Sequence, residues 1–207
     1  MTLPHPGTLR GHIVTLEPLS MDHHDGLVEA ARDGEMWRLW YTSVPTPDAM
    51  ADEIRRRLEL QDRGTMIPFT ARRSDTGAVI GMTTYMNIDA ATPRVEIGST
   101  WNAASAHGTG TNPDSKLLLL SHAFDVWKCP AVEFRTDFLN QQSRAAIARL
   151  GAKQDGILRS HVRQPAGYVR DTVVFSIIAS EWPGIRIGLE RRVASHLPEV
   201  PGPPRLG

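Results

Sequence analysis

The chain has 207 residues, 23 of them basic and 23 acidic, for a formal net charge of zero. That length suits one domain with a proper core, and the balanced charge argues against a nucleic-acid module held by a basic face. The single cysteine, Cys129, excludes an internal disulfide or a cysteine-based metal cluster, and no apolar run approaches a membrane span.

The opening "MTLPHPGTLRGH" lacks a charged-then-apolar signal pattern, so a cytoplasmic protein is expected. A first strand is predicted over Leu9–Leu19. Ser20 then caps a helix whose inner face is read as Met21, His24, Val28 and Ala31. Thr46 and Pro47 open a second helix with Met50, Ile54 and Leu58 on one face, and Gly64 stops it. Three strands follow in "MIPFTARR", "AVIGMTTYMNI" and "PRVEIGSTW", the first two joined by the turn "SDTG". A third helix runs from Pro113 to about Trp127, and "AVEFRTDF" forms a strand. A fourth helix is capped by Asn140 and stopped by Gly151. "AKQDGILRSHVR" and "YVRDTVVFSIIASEW" close as an antiparallel pair, and Gly184–Val193 forms a short last helix. The order β-α-α-β-β-β-α-β-α-β-β predicts one mixed α/β sheet with helices on both faces. A single domain is expected over residues 1–195, with a proline-rich, disordered tail over 196–207.

The stretch "SAHGTGTNPDSKLLLLSHAF" places a glycine-rich loop directly before a helix. Unpaired N–H groups and the helix dipole there favour an anion. A nucleotide P-loop would end in Gly-Lys-Ser/Thr, and a dinucleotide fingerprint would need a third glycine; both fail here. What remains is a pyrophosphate loop over His107–Asn112, with Asn112 as N-cap, or a plain connection. The eight histidines offer no ligand spacing, since His23 and His24 are adjacent and point apart, so no metal is expected.

The segment Val95–Arg159, from "VEIGSTW" through the loop to "DFLNQQSRAAIARLGA", resembles the core of GNAT-superfamily N-acetyltransferases. It is most similar to the branch that acetylates N-termini of ribosomal proteins, the RimJ/RimL type. The superfamily's loop pattern is Gln/Arg-x-x-Gly-x-Gly/Ala. Here Gly110 fits, His107 stands where Gln or Arg is usual, and Asn112 replaces the small residue. The resemblance implies an α+β fold with a mostly antiparallel twisted sheet, a splayed parallel strand pair and acetyl-CoA as cofactor, released as CoA. The acceptor it implies is a primary amine on a protein N-terminus or small molecule. It implies no nucleic-acid or membrane partner, and it allows a homodimer.

Residue roles follow from the same resemblance. His107, Gly108, Thr109, Gly110, Thr111 and Asn112 are expected at the pyrophosphate, and the main chain of Thr100, Trp101 and Asn102 along the pantetheine arm. His107 reads equally as a solvated loop residue. Gly98 allows close backbone approach beside the gap, or merely a bulge. Glu96 and Glu133 resemble positions of the base, with Glu96 preferred because Glu133 also reads as half of a surface pair with Arg135. The family's acid tyrosine would stand at Ile147, so Ser143 is expected to serve the thiolate. Asn140 would bond the pantetheine arm if its side chain is spared from capping. Trp37, Trp40 and Tyr41 are expected at the acceptor, or as a plug between helices. Cys129 reads as a lone half-buried cysteine, which favours direct transfer. A non-catalytic acyl-CoA-binding protein and an enzyme for a longer donor such as succinyl-CoA are the alternatives.

Overall fold

The computed structural model describes residues 3–40, 44–164 and 166–198. Eight strands form one sheet in the order β1-β2-β3-β4-β5-β6-β8-β7. They are β1 (Leu9–Arg10), β2 (Val14–Pro18), β3 (Met66–Arg73), β4 (Val79–Asp89), β5 (Arg94–Asn102), β6 (Ala131–Asp137), β7 (Lys153–Arg163) and β8 (Val169–Ile178). Only β5 and β6 run parallel; every other neighbouring pair is antiparallel. The helices are α1 (His24–Arg32), α2 (Met50–Asp62), α3 (Thr111–Ser121), α4 (Gln141–Ala148) and α5 (Trp182–Ala194).

Two apolar cores lie on opposite faces of this sheet. On one face α1 and α2 cover Leu19, Met82 and Trp101 with Leu27, Ala30, Met50 and Ile54. On the other, Leu119 and Leu120 of α3, Ile147 of α4, and Trp182 and Leu189 of α5 pack on Phe69, Tyr85, Val95, Ile97, Val132 and Phe175. Burying each large side chain in such a core stabilises the fold by about 1.5–3 kcal/mol. Tyr85 satisfies its hydroxyl there by donating to the Leu119 carbonyl (2.6 Å).

The mixed sheet, the element order and the helices on both faces match the sequence-based expectation, with four local differences. The predicted first strand is two, because the chain turns back at Gly11, whose N–H donates to the Val14 carbonyl (2.9 Å). α1 buries Leu27, Ala30 and Ala31; of the expected face Ala31 is buried and Val28 packs partly on the core, but Met21 is exposed because Ser20 caps a separate short 3-10 turn at Met21–His23 first. α3 begins at Thr111 with Gly110 as its cap, so Asn112 lies inside the first turn and is not the N-cap. The helix continues through a wider π turn over His122–Val126. The last strand stops at Ile178, and Trp182-Pro183 instead opens α5. Of the expected tail, the residues from 199 lie outside the described part of the chain.

Candidate active site

β5 and β6 are in register only at Arg94↔Ala131, Val95↔Val132 and Glu96↔Glu133. Beyond Glu96 the two strands separate, and the backbone of β5 from Gly98 to Asn102 has no partner on β6. β5 also bulges there. Gly98 pairs with Thr84 and Trp101 with Met82, so β5 carries one extra residue, and Ser99 takes a left-handed φ of 46°. The extra residue reverses the faces that simple alternation predicts. Trp101 joins the core under α1 and α2, whereas Thr100 turns to the α3 face, where its hydroxyl meets that of Thr83 (2.8 Å). Alternation alone would put Trp101 on the face of Val95 and Ile97, and Thr100 on that of Glu96; the bulge exchanges the two.

The loop from His107 to Asn112 lies at the start of α3, and its two glycines give it its shape. Gly108 and Gly110 both have positive φ, 75° and 83°, a conformation glycine adopts without strain. A Cβ on Gly108 would meet nothing within 4 Å, whereas one on Gly110 would strike Ile13 and His196. The hydroxyls of Thr109 and Thr111 both donate to the Ala106 carbonyl (2.8 and 2.9 Å), fixing the loop from beneath. The cap glycine supplies no side chain, so α3 has no side-chain cap for its first N–H groups. Asp114, the acid in that first turn, does not compete for this end. Its buried carboxylate faces β2, and Oδ2 accepts from the N–H groups of Ile13 (2.7 Å) and Val14 (2.9 Å). The helix end is thus left open to an external anion. His107 is exposed, and its Nε2 lies 3.2 Å from the Asn102 carbonyl, a local contact that ties the loop to β5.

Glu96 and Glu133 lie side by side at the last paired position of β5 and β6. Glu133 is held by two arginines, Arg94 and Arg135, the latter at 2.8 Å. Glu96 is 5% exposed, accepts from Asn87 Nδ2 (2.6 Å) and lies 3.5 Å from Arg135. Burial raises its carboxyl pKa above the ordinary value, against the opposing pull of Asn87 and Arg135. A carboxylate made more basic beside the gap is better suited to accept a proton than one clasped by two guanidinium groups. Gly98 serves this arrangement, because a Cβ there would lie 3.0 Å from Glu96 Oε1 and 2.9 Å from Met86 Sδ.

At the far end of β6, Asn140 caps α4 by accepting from the Ser143 N–H with Oδ1 (2.9 Å). Its oxygen is committed to the cap, leaving the Nδ2 donors for any other role. Ser143 is half-buried in the first turn of α4. Cys129 is 1% exposed within the α3-side core, and burial pushes its thiol pKa up to about 11.

The two described tryptophans of the Glu35–Pro47 segment divide the expected roles. Trp37 packs against the core of α1 and α2. Trp40 is 55% exposed and meets Tyr168 edge-on at 5.3 Å. Tyr41 lies outside the described residues. Tyr168 donates its hydroxyl to Asp137 Oδ2 (2.5 Å); burial and then this bond push its pKa up to about 12. Sequence reasoning missed Tyr168, Asp137 and Asn87, whose places depend on contacts between distant strands. An asparagine before an Ile-Asp strand end was the only visible trace of the second bulge, where Asn87 has φ 49°. Among the described residues no cluster of His, Cys, Asp and Glu could hold a metal ion, and no helix is long and apolar enough to cross a membrane.

A family model described as an acetyltransferase (GNAT) domain matches residues 14–153. The chain is similar to the Bacillus subtilis (strain 168) protein YdaF, whose name provisionally assigns it as a ribosomal N-acetyltransferase, with 29% identity over 108 residues. That match covers 52% of this chain and 58% of the relative, so the chain spans little over half the length of the curated protein it resembles. A crystal structure of a provisionally assigned acetyltransferase from T. thermophilus is similar at a TM-score of 0.80 and 30% identity, covering 92% of this chain and 99% of that one. Mycobacterium smegmatis RimJ in complex with CoA-disulfide matches at a TM-score of 0.73 and 24% identity, over 91% of this chain and 93% of that one. At that identity the likeness is one of fold.

Proposed function

The chain belongs to the GNAT family of acetyltransferases, and from that premise we propose that it transfers an acetyl group from acetyl-CoA directly to a primary amine, on a protein N-terminus or a small molecule. The observation that carries this reading is the junction of three features. A gap opens between parallel strands, an uncapped helix end sits behind a glycine loop, and a buried, more basic glutamate borders the gap.

The cofactor fits the chain's own donors. Backbone N–H groups from Gly108 to Asn112 would hold the pyrophosphate, with the α3 dipole behind them. The unpaired main chain of Thr100, Trp101 and Asn102 would run along the pantetheine arm, and Asn140 would reach it through Nδ2. Acetyl-CoA supplies the thioester, whose C–S bond breaks as the N–C bond to the acceptor forms. Glu96 accepts the proton that the acceptor's ammonium gives up, directly or through a water. Ser143 passes a proton to the leaving thiolate. Glu133, neutralised by Arg94 and Arg135, keeps Arg135 in place near Glu96 rather than acting as the base. Trp40 and Tyr168 would wall the acceptor. The raised thiol pKa of the buried Cys129 supports direct transfer over an acetyl-cysteine intermediate.

Calorimetric titration with acetyl-CoA, free CoA and succinyl-CoA, followed by thiol release with short peptides bearing free α-amines, tests this reading. Acetyl-CoA binding is expected, with much of the affinity retained by free CoA. Gly108→Asp places a carboxylate in open space at the loop, at a positive φ that costs some stability, and should weaken CoA binding well beyond Gly108→Asn, which carries the same backbone strain without the charge. Unaltered affinity in that variant would remove the loop from the site.

A further inference from the structure

Two buried cations flank the β5 bulge, one from each face of the sheet, and the reading above gives neither a task. Arg57, 2% exposed, comes from α2. Its Nε donates to Glu53 Oε1 (2.7 Å) and its Nη1 to Thr84 Oγ1 (2.8 Å). Nη1 and Nη2 together donate to the Ser99 carbonyl (3.3 and 3.2 Å). Lys116, 6% exposed, comes from α3 on the opposite face. Its ammonium donates to Thr100 Oγ1 (3.0 Å) and Thr83 Oγ1 (3.4 Å), and it has no ion pair among the described residues.

Burying a charge costs several kcal/mol unless it is well paired, and an apolar side chain of similar volume would fill either space without that cost. A role beyond packing is therefore called for. Both cations converge on adjacent residues, Ser99 and Thr100, which are the extra stretch that the register leaves without partners on β4. A trans peptide is planar, with its C=O and N–H directed oppositely. Drawing the Ser99 carbonyl towards α2 thus turns the Thr100 N–H away from α2, on the stretch of β5 that has left β6.

We propose that Arg57 is a positioning residue for acyl transfer, acting through the Ser99–Thr100 peptide to aim the Thr100 N–H at the carbonyl of the acyl donor, while Lys116 steadies the Thr100 side chain from the other face. The proposal rests on the acetyl-transfer reading and adds residues that touch no reactant. A preset N–H is worth more than a free one, because no reorganisation is needed as negative charge develops on the carbonyl oxygen.

Arg57→Lys keeps a cation beside Glu53 but cannot fork onto Ser99 and Thr84 together. It is expected to lower kcat by about 10²-fold, the effect of misplacing a reacting group by roughly 1 Å, while KM for acetyl-CoA and calorimetric CoA affinity stay unchanged. In 15N–1H spectra the Thr100 amide resonance should move further on acetyl-CoA addition than on addition of free CoA in the wild type, and by the same amount with both ligands in Arg57→Lys. Should that variant not fold, Lys116→Met, neutral and of similar length, is expected to give the same split between kcat and KM. Unaltered kcat in the folded variant, a fall in kcat and CoA affinity together, or a Thr100 amide that responds identically in both proteins overturns the proposal. A wild-type chain that neither binds CoA nor releases it from acetyl-CoA overturns the reading beneath it, and that failure appears before any variant is made.

Discussion

Glu96 and Glu133 occupy matched positions on parallel strands, yet their surroundings give them different chemistry. Two arginines neutralise Glu133, whereas Glu96 is buried with one amide donor and a more distant guanidinium. Its folded pKa is raised, so the folded chain holds that proton to higher pH than the unfolded chain does. The stability attached to Glu96 is therefore fully present below the ordinary carboxylate range and declines as pH rises through the folded pKa. Glu96→Gln cannot ionise, so it should lower kcat/KM by about 10²-fold or more and abolish the acid limb of the pH–rate profile, with no loss of thermal stability at pH 7. A loss of both together would mean that Glu96 is structural. Lys116 has the opposite sign. Burial pushes its pKa down from 10.5 to about 7, so between those values the unfolded chain binds more protons and stability climbs with pH. The slope from one such group is about 1.4 kcal/mol per pH unit. Lys116→Met should accordingly raise the urea midpoint at pH 7, by an amount that shrinks towards pH 10, while slowing turnover. A midpoint difference that is flat with pH would rule out a charge buried at a cost.

At the scale of elements, α3 is the part on which the site depends, and its start was only partly legible. Asn112-Pro113 looks like a cap and a first-turn proline, and both residue types favour those positions. What moves the start back is the positive φ of Gly110 together with Asp114, whose carboxylate reaches across 100 residues to the β1–β2 turn. Such a bond leaves no periodic trace in a sequence. It does explain Gly11, since a Cβ there would overlap the Asp114 carboxylate. β3, ended by the "SDTG" turn, and α2, with its Thr46-Pro47 opening, were legible because their signals are local. The β5 bulge was not, because one inserted residue changes no composition but exchanges the faces of Thr100 and Trp101. Asp114→Ala should leave two buried N–H groups unpaired, costing about 1–3 kcal/mol each. Because the same helix turn presents the loop, CoA affinity should fall as well, as urea unfolding and calorimetry would show. Lost stability with undiminished CoA affinity would separate the anchor from the loop.

Across the whole molecule, the sheet separates two cores and the candidate site sits where its two parallel strands part between them. The proposed cofactor side is one continuous stretch, β5 through α3, so the glycine loop and the helix behind it were legible as local structure. The proposed acceptor side draws on three distant places: Trp40 before α2, Asp137 at the end of β6 and Tyr168 just before β8. No spacing rule joins residues so far apart, which is why only the aromatic residues of the Glu35–Pro47 segment were visible, and why Trp37 could not be told from Trp40. Their packing now separates them. Trp37 lies against the core of α1 and α2, so Trp37→Ala should lower the melting temperature. Trp40 is largely exposed and meets Tyr168 edge-on, so its removal forfeits little core. If that pair walls the acceptor, Trp40→Ala should raise KM for the amine, because an aromatic contact is worth about 0.5–1.5 kcal/mol beyond its buried area. Acetyl-CoA affinity and melting temperature should hold, since neither the loop nor the core is touched. An amine KM equal to that of the wild type would move the acceptor away from the Trp40–Tyr168 pair and towards the exposed β7 edge of the sheet.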